Sequence, residues 1–254
     1  MSVKERAKHI LLELKGHAPF TFFGAVLGIG FMLVFRNISG GSRHTLFAVF
    51  HPAHVLLSAI VTASMFRLHA KKRRFVLVLV VGFVGSIGIA TLSDIIIPHL
   101  GAKLMGLDIP THGELYHAEE ASTGEGHATE HEHKGHGLHL GFIEEWYIVN
   151  PAALFGILIA YFLPRTKFPH AGHILISTWA SSSYILMDIQ SDMTIGVLGG
   201  ILITLFIAVW LPCCISDIVF PLLFVKSDIR LAGCCPDHAH HSHSHLVEQG
   251  GKSQ

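Results

Sequence analysis

Two pairs of histidines stand at the same spacing inside apolar stretches of the chain. His51 and His54 form the first pair, and His170 and His173 form the second. On a helix, residues three apart lie on one face, so both imidazoles of a pair can reach one ion. Neutral imidazole is a ligand for zinc, copper, nickel, cobalt and iron. Since ionisable groups are costly inside a bilayer, the two pairs predict metal binding.

An aspartate accompanies each pair further along the chain, Asp94 for the first and Asp217 for the second. A proline four residues after each aspartate interrupts the helix and can free backbone carbonyls. Two histidines and one carboxylate form an open ligand set for a borderline divalent cation, and zinc is the first choice. His99 is a further candidate ligand beside the first set.

Hydroxyl side chains continue each histidine pair along the same helical face. Ser58 and Thr62 follow the first pair, and Ser177 and Ser181 follow the second. Lipid would leave these hydroxyl and imidazole groups without hydrogen-bond partners. The two stripes are therefore expected to face the bundle interior or an aqueous path, and they are the predicted substrate path.

The elements that must position these residues are long apolar segments. Half of the 254 residues are hydrophobic and only 14% are charged, whereas a soluble domain has about 25% charged residues. Six segments approach the roughly 20 residues that cross a hydrocarbon core. They cover residues 19–35, 45–66, 75–98, 146–164, 170–187 and 194–225. This composition excludes a nucleic-acid binder, an ordinary cytosolic enzyme and a disordered protein.

Three short blocks recur in the same order in the two halves, at offsets of 132, 119 and 123 residues. They begin at Pro19, His51 and Ser93, and again at Pro151, His170 and Ser216. Three spans per half is an odd number, so the second half must be inverted relative to the first. Inverted repeats are typical of transporters, because exchanging the conformations of the halves alternates access to the two sides.

The sequence thus predicts an all-α integral membrane protein with six transmembrane helices arranged as a 3+3 inverted repeat. With the N-terminus inside, 14 basic residues lie on the inner side and 4 on the outer side, which predicts two cytoplasmic termini. The compact plan and the lack of a cleavable signal peptide favour a bacterial inner membrane. The predicted units are an amphipathic surface helix at 1–16, the first repeat at 17–100, an outward linker at 101–140, the second repeat at 141–226 and a cytoplasmic tail at 227–254.

This topology places the first histidine pair and Asp94 toward the outer side, and the second pair and Asp217 toward the inner side. Two related sites or one central site are both compatible with it. Cys213 and Cys214 lie in the last segment and have no counterpart in the first half. A thiolate there would favour a softer ion, but such cysteines are more often small apolar fillers.

The linker and the tail are rich in histidine and are predicted to stay flexible, since neither has an apolar set to pack. We expect them to collect metal loosely beside a more selective membrane site. For the linker, a pH-responsive spacer is the alternative. The collecting histidines are His127, His131, His133, His136 and His139 in the linker, and His238, His240, His241, His243 and His245 in the tail.

Histidine-rich segments beside intramembrane His and Asp resemble those of zinc, nickel and cobalt transporter families. The 3+3 plan is similar to that of small six-span cation exporters. The sequence contains neither the His-x4-Asp signature of nickel–cobalt permeases nor the paired His-x3-Asp pattern of cation-diffusion zinc exporters. The resemblance implies metal transport and carries no residue roles to this chain.

The leading hypothesis is a non-enzymatic transporter for a divalent transition-metal cation, working by alternating access. Zinc is the first choice, and nickel, cobalt, iron and manganese are alternatives; protonation of the ligands would couple release to a proton gradient. A membrane-embedded His/Asp metalloenzyme is a second hypothesis, and a non-transporting metal sensor or storage protein is a third. Membrane lipid and metal ions are the expected partners, nucleic acid is not, and a homo-oligomer is compatible with the sequence.

Overall fold

The computed structural model describes residues 3–69, 75–107, 145–164, 167–188 and 193–215. Every regular element in these ranges is a helix, so the all-α prediction is confirmed for this part of the chain. In chain order the helices are α1 (Val3–Phe35), α2 (Gly40–His69), α3 (Phe75–Thr91), a π-helical turn (Leu92–Ile96), α4 (Ile97–Leu104), α5 (Trp146–Phe162), α6 (Lys167–Asp188) and α7 (Ile195–Cys214).

Among the described residues, four helical stretches are long and apolar enough to cross a membrane. They are Leu14–Phe35, Gly40–Leu68, Phe75–Leu104 and Ile195–Cys213. Helix α5 is apolar but has only 17 residues, and α6 has 22 residues but carries a run of hydroxyl groups through its middle. Length and composition therefore indicate a helical membrane protein, with four candidate spans in the described part of the chain.

The helices extend beyond the predicted segments. Helix α2 begins at Gly40, eleven residues before His51, which is about 16 Å along a helix axis. The third span continues past Pro98 to Leu104. Both differences move the candidate ligands away from helix ends and into the body of the bundle.

Helix α2 lies at the centre and packs along α3, α5 and α6, while α1 packs on α6 and α7. Close approach depends on glycine. A Cβ added at Gly156 of α5 would lie 2.5 Å from the carbonyl oxygen of Leu56 and 2.9 Å from the Cβ of Ala59. A Cβ at Gly24 of α1 would lie 3.3 Å from the Oγ1 of Thr178 on α6. Small residues at these crossings bring the backbones together without a hydrophobic driving force, as membrane helices require.

The helix that carries Asp94 widens into a π-helical turn just before Pro98. The N–H of Ile97 donates to the carbonyl of Leu92, five residues back. Pro98 has no N–H with which to complete the α-helical bond to the carbonyl of Asp94. The predicted interruption therefore takes the form of a local π turn, with the helix continuing beyond it, and such turns are frequent at functional sites.

Candidate metal centre

The carboxylate of Asp94 is fully buried and holds side chains from three elements. Its Oδ2 lies 2.9 Å from Nδ1 of His51 and 2.7 Å from Nδ1 of His54, both on α2. Its Oδ1 accepts hydrogen bonds from Oγ of Ser93 at 2.7 Å and from Oγ of Ser177 on α6 at 3.3 Å. Asp94 therefore joins the two halves of the chain at one buried point.

These contacts determine which ring nitrogens of the α2 histidines carry protons. An ionised carboxylate only accepts hydrogen bonds, so Nδ1 donates in both rings and Nε2 of a neutral ring keeps a lone pair. The Nε2 atoms of His51 and His54 are buried and make no hydrogen bond with any described residue. Burying an acceptor without a partner is costly. A carboxylate on one nitrogen with a lone pair on the other is how metal-binding histidines are oriented.

The second half of the chain supplies His173 from α6 and Cys213 from the end of α7. The ring of His173 stacks on that of His54, with centroids 4.7 Å apart and planes 27° apart. The Sγ of Cys213 lies 3.7 Å from Nε2 of His173 and 3.8 Å from Oγ of Ser177. Ligand atoms of His54, His173 and Cys213 all lie within 4.8 Å of one another, and the three residues could hold a metal ion. These three residues, with Asp94 and the side chains that it contacts, are called the centre below.

The size of this group is close to that of a metal site. Ligand atoms around tetrahedral zinc are about 2.0–2.3 Å from the ion and so about 3.3–3.8 Å from each other. Starting from separations of at most 4.8 Å, side-chain shifts on the order of 1 Å would bring the three donors to ligand distance. Two nitrogens and one sulfur leave a fourth position open, which is the arrangement of an exchangeable site.

The two hydroxyl stripes lie in the interior of the described bundle. Ser58, Thr62, Ser177 and Ser181 are all fully buried. The Oγ of Ser181 lies 2.8 Å from the carbonyl oxygen of Ser177 and 3.0 Å from that of Ser93. The Oγ of Ser58 makes no hydrogen bond with any described residue. The faces of α2 and α6 that carry the stripes are therefore turned away from the surrounding lipid.

His99 is linked to the centre through aromatic rings. Its Nδ1 lies 3.3 Å from the hydroxyl of Tyr184, and the ring of Tyr184 packs edge-on against Phe47. Phe47 in turn stacks on His51, with centroids 5.1 Å apart. His99 thus stands beyond two aromatic side chains, whereas the sequence suggested it as a ligand beside the first set.

The structure brings part of the predicted ligand sets together. His51, His54, Asp94 and His173 meet, although His54 and His173 were expected toward opposite sides of the membrane. The side chain of His170 and all of Asp217 lie outside the described residues, as do the collecting histidines of the linker and tail. Within the described part of the chain, donors from both halves form one cluster.

Cys213 and Ser93 belong to the centre but were not among the predicted ligands or path residues. Ser93 stood in a repeated block, where it signalled only the repeat. Cys213 has no equivalent in the first half, so the repeat carried no signal for it. The available signal was its position beside Cys214 and four residues before the predicted ligand Asp217.

Comparison with protein-family models, with curated proteins and with solved structures finds no match for the chain.

Proposed function

We propose that the chain is a membrane transporter for a divalent transition-metal cation, with zinc as the first candidate. The observation that carries the proposal is the meeting of His54 and His173, one from each half, beside Cys213 in the interior of an apolar bundle. Transporters with inverted repeats bind their substrates between the repeats, within the membrane. Imidazole nitrogens there would replace part of the water shell of the ion.

Helix crossings support the inverted repeat. Gly24 and Gly156 are 132 residues apart, which is the offset of the first repeated block, and each contacts the middle helix of the opposite half. Their contacts Thr178 and Ala59 are 119 residues apart, which is the offset of the second block. Equivalent residues thus make equivalent contacts, as a pseudo-twofold axis would require.

The composition of two apolar core clusters also supports the inverted repeat. One core cluster includes Phe66, Val78 and Ile157, and a second includes Ile185, Ile201 and Ala25. Phe66 and Ile185 are 119 residues apart, Val78 and Ile201 are 123 apart, and Ala25 and Ile157 are 132 apart. These separations are the offsets of the three repeated blocks. Two halves with interchangeable contacts are the structural basis of alternating access.

Six spans with cytoplasmic termini in a bacterial inner membrane complete the proposal, with α5 and α6 as the two further spans. The hydroxyl groups of α6 do not argue against a span, because Ser177 and Ser181 are buried and lipid would meet only the outer face of the helix. The histidine-rich linker and tail would collect metal beside the central site.

The test is zinc flux into proteoliposomes that contain the full chain. We expect the double variant His54→Ala/His173→Ala to lose at least 90% of the flux, because both nitrogen ligands of the centre are removed. The matched control is His44→Ala, since His44 also lies on α2 but its Nε2 is 3.9 Å from Glu145 and it is not part of the centre. The control should retain wild-type flux.

Two results would contradict the proposal. If the double variant transports zinc at the wild-type rate, the central histidines are not the path. If the wild-type chain moves none of zinc, nickel, cobalt, manganese and iron, the chain is not a transporter of these ions. The metalloenzyme and sensor hypotheses would then be the ones to pursue.

A further inference from the structure

We infer that Cys213 binds the transported ion as a thiolate together with His54 and His173, and that the centre selects zinc and similar thiophilic divalent ions over manganese. This inference rests on the proposed function and adds to it the ligand that sets selectivity. Carboxylates, which suit manganese and magnesium, would then have no direct contact with the ion.

The position of Cys213 is the first support. Its side chain is almost fully buried, and its sulfur lies 3.7 Å from Nε2 of His173 and 3.8 Å from the hydroxyl of Ser177. It therefore faces the polar interior of the bundle. Cys213 also packs on Ile174 and Val209, so its sulfur lies where the apolar core of the bundle meets the polar side chains.

The neighbouring histidines are the second support, because two of their buried ring nitrogens are left for a ligand. Nε2 of His51 and Nε2 of His54 are buried acceptors with no hydrogen bond to any described residue. The carboxylate of Asp94 already receives the Nδ1 contacts of both rings. A cation beside Nε2 of His54 would satisfy the lone pair that this arrangement leaves open.

Charge balance is the third support and favours a divalent ion. The carboxylate of Asp94 and a thiolate at Cys213 contribute two negative charges, and imidazoles that bind a metal are neutral. A divalent ion makes this cluster neutral, and a buried cluster without net charge costs least in a low-dielectric interior. The thiol proton leaves when the metal–sulfur bond forms, since the thiolate is the ligand.

Hydrogen bonds assign Asp94 a separate role. Both of its oxygens are engaged, by two histidines and two serines. It is therefore a positioning residue that aims the imidazoles, and the sulfur occupies the place in the ligand set that the sequence assigned to a carboxylate.

The direct test is to titrate the full chain with cadmium chloride and to monitor the ultraviolet absorption band of sulfur-to-cadmium charge transfer. All proteins carry Cys234→Ser and Cys235→Ser, so that the tail contributes no thiol. We expect the band in this parent and in the matched control Cys214→Ser, and its loss in Cys213→Ser. Histidine gives no such band, so the histidine-rich segments do not interfere. A band that survives in Cys213→Ser, or no band in the parent, would overturn the inference.

Flux then tests selectivity. In proteoliposomes, Cys213→Ser should lower the ratio of zinc flux to manganese flux at least tenfold, while Cys214→Ser leaves the ratio unchanged. An unchanged ratio in Cys213→Ser would show that the thiolate does not set selectivity. If the parent moves no metal, the proposed function fails, but the cadmium band, which needs no flux, still decides whether Cys213 binds metal.

A second measurement does not depend on the folding of a Cys213 variant. In a full chain with Cys214, Cys234 and Cys235 replaced by serine, the remaining thiol is Cys213. Zinc chloride should slow its alkylation by N-ethylmaleimide at least tenfold, and manganese chloride should not. Equal protection by both metals, or none by zinc, would contradict thiolate binding.

Discussion

At the residue scale, the centre depends on the direction in which each imidazole points. The carboxylate of Asp94 lies within hydrogen-bond distance of Nδ1 in both α2 histidines, so Nε2 is the atom presented to a ligand. The hydroxyls of Ser93 and Ser177 hold the carboxylate from the other side. Removing the charge at Asp94 should therefore loosen both rings while leaving all proposed metal ligands in place.

The change Asp94→Asn tests this role. We expect metal affinity to fall about 10–100-fold, which is the usual effect of losing such a partner of a metal-bound histidine. The cadmium–thiolate band should still reach full amplitude at higher cadmium concentrations, because Cys213 is untouched. Titration with cadmium, followed at that band, gives both quantities. Unchanged affinity would show that the carboxylate does not position the ligands.

His99→Ala is a second prediction at this scale. Since His99 contacts Tyr184 and is separated from His51 by aromatic rings, we expect metal affinity at the centre to stay at the wild-type value. The same cadmium titration measures it. A loss as large as that of Asp94→Asn would return His99 to the ligand set.

At the scale of the elements, the centre exists because α2 and its neighbours approach closely. Gly156 allows α5 to pack directly on the backbone of α2. The π turn at Leu92–Ile96 lets the third span continue past a proline, and it carries Asp94. Neither feature touches the proposed ion, yet both determine where the ligands stand.

Gly156→Ala tests the helix crossing. The added Cβ would meet the Leu56 carbonyl oxygen at 2.5 Å, so α5 must move away from α2, at a cost of about 1–3 kcal/mol typical of overpacking. Thermal unfolding in detergent should show a lower Tm than wild type. In the control Gly88→Ala, nothing lies within 4 Å of the new methyl group, and alanine favours helix. Equal Tm values for the two variants would argue against a tight crossing.

At the scale of the whole molecule, the number of spans determines on which sides the termini lie. Four helical stretches of the described residues are candidate spans by length and apolarity, and α5 and α6 are proposed as two more. Six spans place both termini on one side, whereas five would separate them. Halves of inverted topology need an odd number of spans each, and six spans supply three to each half.

Protease-cleavable tags at the two termini test this count. In inside-out membrane vesicles we expect both tags to be cleaved, because the distribution of basic residues predicts two cytoplasmic termini. A third tag inserted within residues 108–144 should be cleaved only in vesicles of the opposite orientation. Cleavage of the two terminal tags from opposite sides would rule out the six-span arrangement.

Local patterns in the sequence were sufficient to predict the apolar helices and the side chains that share a helix face. Helical periodicity determines which side chains share a face, so the pairing of His51 with His54 and the hydroxyl stripes were readable without a structure. Apolarity over about 20 residues indicated membrane helices in advance. The repeated blocks predicted that Gly24 and Gly156 are equivalent positions, and each contacts the helix of the other half that carries a histidine pair.

Distances between helices could not be predicted from local patterns, and these distances determine which residues form the centre. The sequence left one site or two sites open, and only packing brought the ring of His54 to 4.7 Å from that of His173. Cys213 comes into the ligand group through the path of α7, and no periodicity within its own segment indicates that contact. Asp94 accepts hydrogen bonds from the histidines because the π turn and α2 meet at that level. Sequence periodicity determines the direction of a side chain on its own helix, but the neighbour it meets depends on how closely other helices pack.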